Sequence, residues 1–506
     1  MIFTHLKSHF LPLLIFILSF ILRLAFMSKG AFHVDCLQLA IESQKTLETF
    51  QLHFLTGSGY PFTVILGASF IFLSHLFGVM DPIWAVNFMS VVTSSLAVLV
   101  FYYLTKKLLF PTAAIFAVIL LSLSPIFLSV SVYGKNHAPS LLFLLLGILY
   151  FLSYRETFSK KKFFISALWI GLMGATRLQD MVLMFIPLSY LFLSGTKKQT
   201  SHAKTIWKDY FLFWLIVGTV VILFHLPYVW SQIHSSYQDQ FSSVVSSDLL
   251  KNFRGLFSDS LTRSMDFFLI NSTVLGLVAC VCGTFLLIKH NRRLVIFCLL
   301  WFFIPLFFLG NLWSTTPRFL TILLPPLLIT QSYVLAHLFS NRQLILKILS
   351  IFIPTVIIMV TFTYMYPILK SRHEKDIFVD YVQWISQTVE PEAYVVTTDG
   401  ALFYRYYTRL NLIGRPCKAF DYNQEDLLKF KDNLDKLLAQ GIPVYIPKSN
   451  LKSYDYKNQF SNFIQNHYNL ECVGQHPYET WHPDFIRQIV YINPLYRILP
   501  KSTQAF

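Results

Sequence analysis

Apolar runs of membrane-crossing length recur along the first 370 positions of this 506-residue chain, and no other feature limits its fold so strongly. Each spans about 17–25 residues, enough helix to cross roughly 30 Å of hydrocarbon. The clear runs are 9–27, 83–104, 112–131, 139–154, 163–194, 210–229, 266–288, 294–309, 319–339 and 344–369. A further stretch, 60–79, follows a polar loop and opens Gly59-Tyr60-Pro61. Only 13% of the residues are charged, against about a quarter in an average soluble domain. That composition excludes a soluble enzyme, a disordered chain and a coiled coil. Six cysteines without regular spacing exclude a disulfide-stapled mini-protein and a zinc ribbon.

The 163–194 run is too long for one crossing and carries Thr176-Arg177-Leu178-Gln179-Asp180 at its middle. A charge at membrane depth has to face a protein cavity, so the run predicts two half-length helices, up and back. Sidedness follows from the basic residues. If 60–79 is re-entrant, the N-terminus and the loops after 104, 154, 194, 288 and 339 share the cytoplasmic side. They then hold sixteen of the 41 Lys and Arg residues but only two of the 26 acids, Glu156 and Asp209. A full crossing at 60–79 would put those basic loops outside. The re-entrant reading therefore holds, and the net charge of +15 is a topology signal that implies no nucleic-acid partner. The expectation is a polytopic α-helical membrane domain over 1–369, with about eleven membrane segments plus a juxtamembrane helix. Its N-terminus is cytoplasmic, and outer loops lie at 28–82, 132–138 and 230–265. The first span lacks a small-residue cleavage site and reads as a retained anchor.

Residues 370–506 change character. Helical spacing at 378–388, 425–438 and 460–468 alternates with strand-like runs at 393–398, 442–446 and 488–492. This predicts a soluble α/β domain on the extracytoplasmic side, long enough to bury its own core. Cys417 and Cys472 fall there, either paired or as separate thiols. His476, Tyr478, Trp481, His482 and Asp484 form an aromatic, polar cluster, either a sugar or peptide surface or a loop folded around Trp481.

Asp35, just past the first span in Phe32-His33-Val34-Asp35, is the leading candidate for chemistry, because a carboxylate at a cavity edge can act as a general base. Spacing alone favours the plainer reading, an acid on solvated surface. The order of short motifs resembles the GT-C glycosyltransferases, in particular protein O-mannosyltransferases and the bacterial lipid-sugar transferases related to them. The motifs are Arg23 near the end of the first span, then Asp35, then Gly59 to Phe62 opening a juxtamembrane helix. Ser124-Pro125, Thr176-Arg177 and Ser314-Thr315-Thr316-Pro317-Arg318 before a Leu-Leu-Pro-Pro helix complete the set. The resemblance implies transfer of a sugar from a polyprenyl-phosphate donor to an acceptor hydroxyl outside the cytoplasm, with Asp35 as base in an inverting mechanism. The donor and the membrane lipid are the implied partners, with an acceptor that is glycan, lipid or protein.

A departing phosphate needs fixed cations. Arg177, Arg318 and Lys135 are the candidates. For Arg177 the competing role is a structural ion pair with Asp180, and for Arg318 it is snorkelling at the interface. His33, Tyr60, His137 and Asp180 are candidates for the cavity wall or acceptor. The second outer loop, Tyr133-Gly134-Lys135-Asn136-His137, lacks the acid many such enzymes carry there, and a lone loop histidine is usually exposed. A His33/Asp35/His137 metal site lacks ligand spacing, so no metal and no cofactor are expected. A lipid-linked sugar transporter or flippase is the alternative. It predicts inverted repeats, and none is visible.

Overall fold

The computed structural model describes residues 2–55, 60–194, 203–234, 259–310, 317–397, 401–416, 422–452, 455, 458–481 and 488–501. Two compact units emerge. The first joins Met1–Ser28 to Leu39–His373; the second joins Lys29–Gln38 to Glu374–Pro483 and Arg487–Phe506.

In the first unit α1 is Ile2–Ala25, while α2, Val34–Thr49, begins in the second unit and enters the first at Leu39. The 60–79 stretch becomes α3, Pro61–Leu76, at about 24 Å too short to cross comfortably. Then α4, Pro82–Leu108, crosses fully. The run expected to cross once at 112–131 is instead two helices, α5 (Pro111–Ser122) and α6 (Pro125–Ser131), bent by 62°. Ser124 caps the second through its side chain and Pro125 occupies its first position, a start signal inside an apolar run.

Next, α7 spans His137–Thr157, α8 Lys160–Thr176 and α9 Leu178–Leu193. The chain does turn back at Arg177. A Cβ on Gly174 would stand 3.3 Å from that of Met181, a separation no continuous helix gives at seven residues. The helices are not half-length, however. At 17 and 16 residues they run nearly the whole bundle, and Arg155 at the far end of α7 donates to Leu191 O near the end of α9 at 2.8 Å. Arg177 therefore lies level with the start of α7, at one end of the bundle. This corrects the expectation.

After α10, Ala203–His234, comes α11, Asp259–Gly310, a helical run broken at Thr273 (φ 58°) and at Asn291, whose side chain caps the second span by accepting from Leu294 N at 3.1 Å. A 3-10 turn, Pro317–Leu323, leads into α12, Leu324–Phe339, and α13 runs Leu344–Glu374. It continues past 369, where the apolar run ends. The core gathers α4, α5, α7, α8 and α12 around Phe101, Phe127 and Trp301. In contrast α10 and α13 keep most of their apolar surface outward, as lipid-facing helices do.

The second unit holds a five-stranded mixed sheet. Its elements are α14 (Ile377–Thr388), β1 (Tyr394–Thr397), α15 (Ala401–Tyr407), β2 (Asn411–Gly414), α16 (Gln424–Ala439), β3 (Val444–Pro447), α17 (Lys448–Lys452), α18 (Gln459–His467), β4 (Tyr468–Trp481) and β5 (Gln488–Pro500). The strand order is β2-β1-β3-β5-β4; β1 pairs in parallel with β2 and β3, and β5 runs antiparallel to β3 and β4. Phe430, Leu434, Ile446, Phe460 and Ile498 form its core. The α/β layer is as expected, with β2 and β4 added. Cys472 is exposed on β4, whereas Cys417 lies outside the described residues.

Candidate functional site

Arg177 is the one extended residue between α8 and α9 (φ −150°, ψ 100°). Its amide closes α8 onto Met173 O at 2.7 Å, and its carbonyl accepts from Asp180 N at 3.2 Å to open α9. Gly174 permits the tight turn, since a Cβ there would meet Val221 Cγ2 at 2.6 Å and Met181 Sδ at 2.9 Å. A second tether comes from the juxtamembrane helix, where Thr63 Oγ1 donates to Thr176 O at 3.2 Å.

The Arg177 side chain is 2% exposed and is not alone. Its Nη1 lies 3.2 Å from each Asp180 oxygen and 2.7 Å from His137 Nδ1, while Ser140 Oγ donates to Asp180 Oδ2 at 2.6 Å. A guanidinium only donates, so His137 Nδ1 accepts. The ion pair suggested by the spacing is thus present, and His137 joins it. The segment read as an outer loop, 132–138, is buried throughout, and His137 is the buried first residue of α7. The expected exposed histidine is therefore corrected: its partners come from α9 and from the 3-10 turn, far away in sequence.

Phe319, which sequence reading did not single out, collects these groups. Its ring centroid lies 5.5 Å from Arg177 Cζ, 5.4 Å from Arg318 Cζ and 5.7 Å from the His137 ring. Arg318 is half-buried and also lines a small apolar cleft with Pro125, Ile126, Ser129, Asn271 and Met365. Its side chain faces protein on two sides, which departs from simple snorkelling into the interface. Asn271 braces the start of α6, accepting from Ser124 Oγ at 2.6 Å and Ile126 N at 3.3 Å. Two more buried arginines flank α6. Arg372 donates to Ser129 O at 3.2 Å, and Arg23, with Cζ 5.1 Å from the Phe127 ring, donates to Ser19 Oγ at 2.6 Å. Arg23 was visible in the motif order, whereas Arg372 lies just beyond the apolar run that ends at 369. Lys135 is also buried, and its amide donates to Ser90 Oγ at 3.1 Å. Tyr60 takes left-handed backbone angles (φ 44°, ψ 51°) just before Pro61, and its carbonyl accepts from Thr63 N at 3.0 Å.

Asp35 and His33 belong to the second unit. Asp35 occupies the first turn of α2, where the helix dipole favours an ionised carboxylate. Its Oδ2 lies 3.5 Å from His33 Nδ1, to which its own amide donates at 3.1 Å, and its side chain is 41% exposed. That is a carboxylate in reach of solvent with an imidazole alongside, an arrangement able to accept and pass on a proton. Among the described residues no group of three His, Cys, Asp or Glu side chains is placed to hold a metal ion.

Residues 66–230 match the family model "Dolichyl-phosphate-mannose-protein mannosyltransferase", a segment that includes Lys135, His137, Arg177 and Asp180. No curated protein sequence matches. The chain is similar in structure to ArnT from Cupriavidus metallidurans bound to undecaprenyl phosphate, with TM-score 0.60 and 11% identity over 97% of this chain and 98% of that one. It is similar also to the oligosaccharyltransferase AglB from Archaeoglobus fulgidus in complex with an inhibitory peptide and a dolichol-phosphate, with TM-score 0.58 and 12% identity over 96% and 74% of the two chains. A third likeness is to the arabinofuranosyltransferase AftD from Mycobacteria, with TM-score 0.51 and 12% identity over 97% and 40%. This protein is thus a multi-pass α-helical membrane protein that shares the fold of these three proteins along nearly its whole length and carries the family segment within it.

Proposed function

We propose that the chain transfers a sugar from a polyprenyl-phosphate donor to an acceptor hydroxyl at the membrane face away from the basic loops, with inversion at the anomeric carbon. The observation that carries this reading is the pairing, at one end of the bundle, of an apolar cleft with the Arg318 guanidinium, backed across Phe319 by Arg177. An apolar cleft with fixed cations at its rim suits an amphiphile with an anionic head. The undecaprenyl phosphate and dolichol-phosphate bound to ArnT and AglB support the same donor class here.

In the proposed step the acceptor oxygen attacks the anomeric carbon while the bond to the phosphate oxygen breaks. Asp35 takes the hydroxyl proton, and the lipid phosphate leaves with its charge met by Arg318, Arg177 and Lys135. A single displacement inverts the centre. No metal enters this reading, because guanidinium groups supply the positive charge a leaving phosphate needs. The basic loops orient the N-terminus to the cytoplasm and the tail outward, in a bacterial inner membrane. His33 orients Asp35, His137 and Asp180 hold Arg177, and Tyr60 shapes the entrance beside the acceptor.

The test is transfer of labelled sugar from a polyprenyl-phosphate donor by the purified full chain in nanodiscs, across a panel of lipid, glycan and peptide acceptors. Asp35→Asn should lower turnover by about 10²–10⁴-fold, the usual worth of a general base. Undiminished transfer in that variant would reject Asp35 as the base. Absence of transfer to every acceptor, together with movement of labelled lipid across vesicles, would replace the enzyme reading with transport.

A further inference from the structure

The sheet of the second unit has a reversal of strand order of its own. From β1 the chain goes to β2 on one side and returns to β3 on the other, so the strand order reverses at β1. In parallel α/β sheets, ligands sit outside the carboxyl ends of the strands at such a reversal. Arg415, directly after β2, reaches across this point. Its amide donates to Thr397 O at the end of β1 at 3.0 Å, and its Nη1 donates to Asn450 O, beyond β3, at 2.7 Å. Asn450 Nδ2 in turn donates to Val396 O of β1 at 3.0 Å. The guanidinium therefore lies over the carboxyl end of the middle parallel strand.

Its surroundings are aromatic. Cζ stands 5.3 Å from the Tyr422 ring centroid and 5.1 Å from that of Phe460, and the two rings stack at 5.7 Å. Arg415 is 8% exposed, and among the described residues its Nε and Nη2 have no hydrogen-bond partner. These two nitrogens form one edge of the fork, the edge that takes two oxygens of a carboxylate or phosphate at once. A buried cation with an open bidentate edge is costly unless an anion completes it.

From this geometry we infer that the second unit binds an oxyanion at the strand ends, a phosphate or carboxylate group gripped by Arg415 Nε and Nη2. On a sugar-transferring protein such a group belongs to an anionic glycan or a phosphorylated lipid. The site belongs to the second unit, whereas Arg177 and Arg318 belong to the first, and its occupancy does not depend on the proposed transfer reaction.

The experiment is hydrogen exchange by mass spectrometry on the full chain in nanodiscs, with inorganic phosphate, acetate or chloride added at equal ionic strength. Phosphate or acetate, and not chloride, should slow exchange severalfold in peptides covering Thr397, Arg415 and Asn450. The stronger of the two names the preferred group. Arg415→Lys should weaken the effect about tenfold and Arg415→Gln abolish it, while peptides of the membrane unit respond as in the wild type. If Arg415→Gln unfolds the tail, all its peptides exchange together and the wild-type and Arg415→Lys arms decide. Equal exchange in all three salts, or protection that persists in Arg415→Gln, would overturn the inference. Failure of the transfer assay leaves it standing.

Discussion

The two ends of α7 carry similar charges in opposite environments. At its C-terminal end Glu156 pairs with Lys107 of α4 in the open, its carboxylate 60% exposed, and Tyr154 donates to Asp209 at 2.6 Å. At its N-terminal end, some 30 Å along the helix, His137 and Ser140 meet Arg177 and Asp180 with almost no exposure. Exposed pairs contribute about 0–1 kcal/mol, because water and salt already solvate both partners. In a buried pair each ion has lost its hydration, so the fold holds only while the partner is present. Charge at the first end reports topology, whereas charge at the second has to be structural, functional or both.

The largest effect separates those two roles. Arg177→Ala leaves Asp180 buried and unpaired, and should cost about 3–5 kcal/mol in unfolding of the purified protein as well as abolish transfer. The double variant Arg177→Met, Asp180→Leu removes both charges. It should recover most of that stability, since apolar residues of similar volume replace buried pairs with little loss. Transfer that returns with stability would make the pair purely structural. Stability without transfer would assign Arg177 to the donor phosphate.

How legible this was differs along the chain. The break at Arg177 was readable, since a guanidinium among apolar residues has to point into protein. Its depth was not: the apolar run does not say that both helices are nearly full length, and only packing such as Arg155 against Leu191 fixes that. Ser124-Pro125 offered a capping signal that the continuous run concealed. His137 and Phe319 are 182 positions apart, and no local pattern joins them. In the tail, β1 and β3 stand out as apolar runs. By contrast β2 is four residues long and β4 is largely polar, so each becomes a strand only through its neighbours. Asp35 was found through the order of motifs, not through its own surroundings.

A middle-sized effect tests the hairpin that carries Arg177. Gly174→Ala inserts a methyl group where Val221 and Met181 already sit closer than a Cβ tolerates. Overpacking of this kind costs about 1–3 kcal/mol. The strain falls three residues from Arg177, so turnover should drop further than stability predicts. A stable Gly174→Ala variant with full turnover would mean that the position of Arg177 has slack.

The smallest effect belongs to the other end. Lys107→Ala should change unfolding by less than about 1 kcal/mol, and by still less in 1 M salt, where the screening length falls to roughly 3 Å. Nor should it alter sidedness. Fourteen basic residues outside the α4–α5 loop remain to orient the spans, and Lys106 is still beside the gap. Cysteine-labelling of the loop after α4 from either side of the membrane, with melting in low and high salt, reads both. A loss as large as that of Arg177→Ala, or one that persists in 1 M salt, would show that the pair at this end is buried in the membrane-embedded protein, and the contrast between the two ends of α7 would disappear.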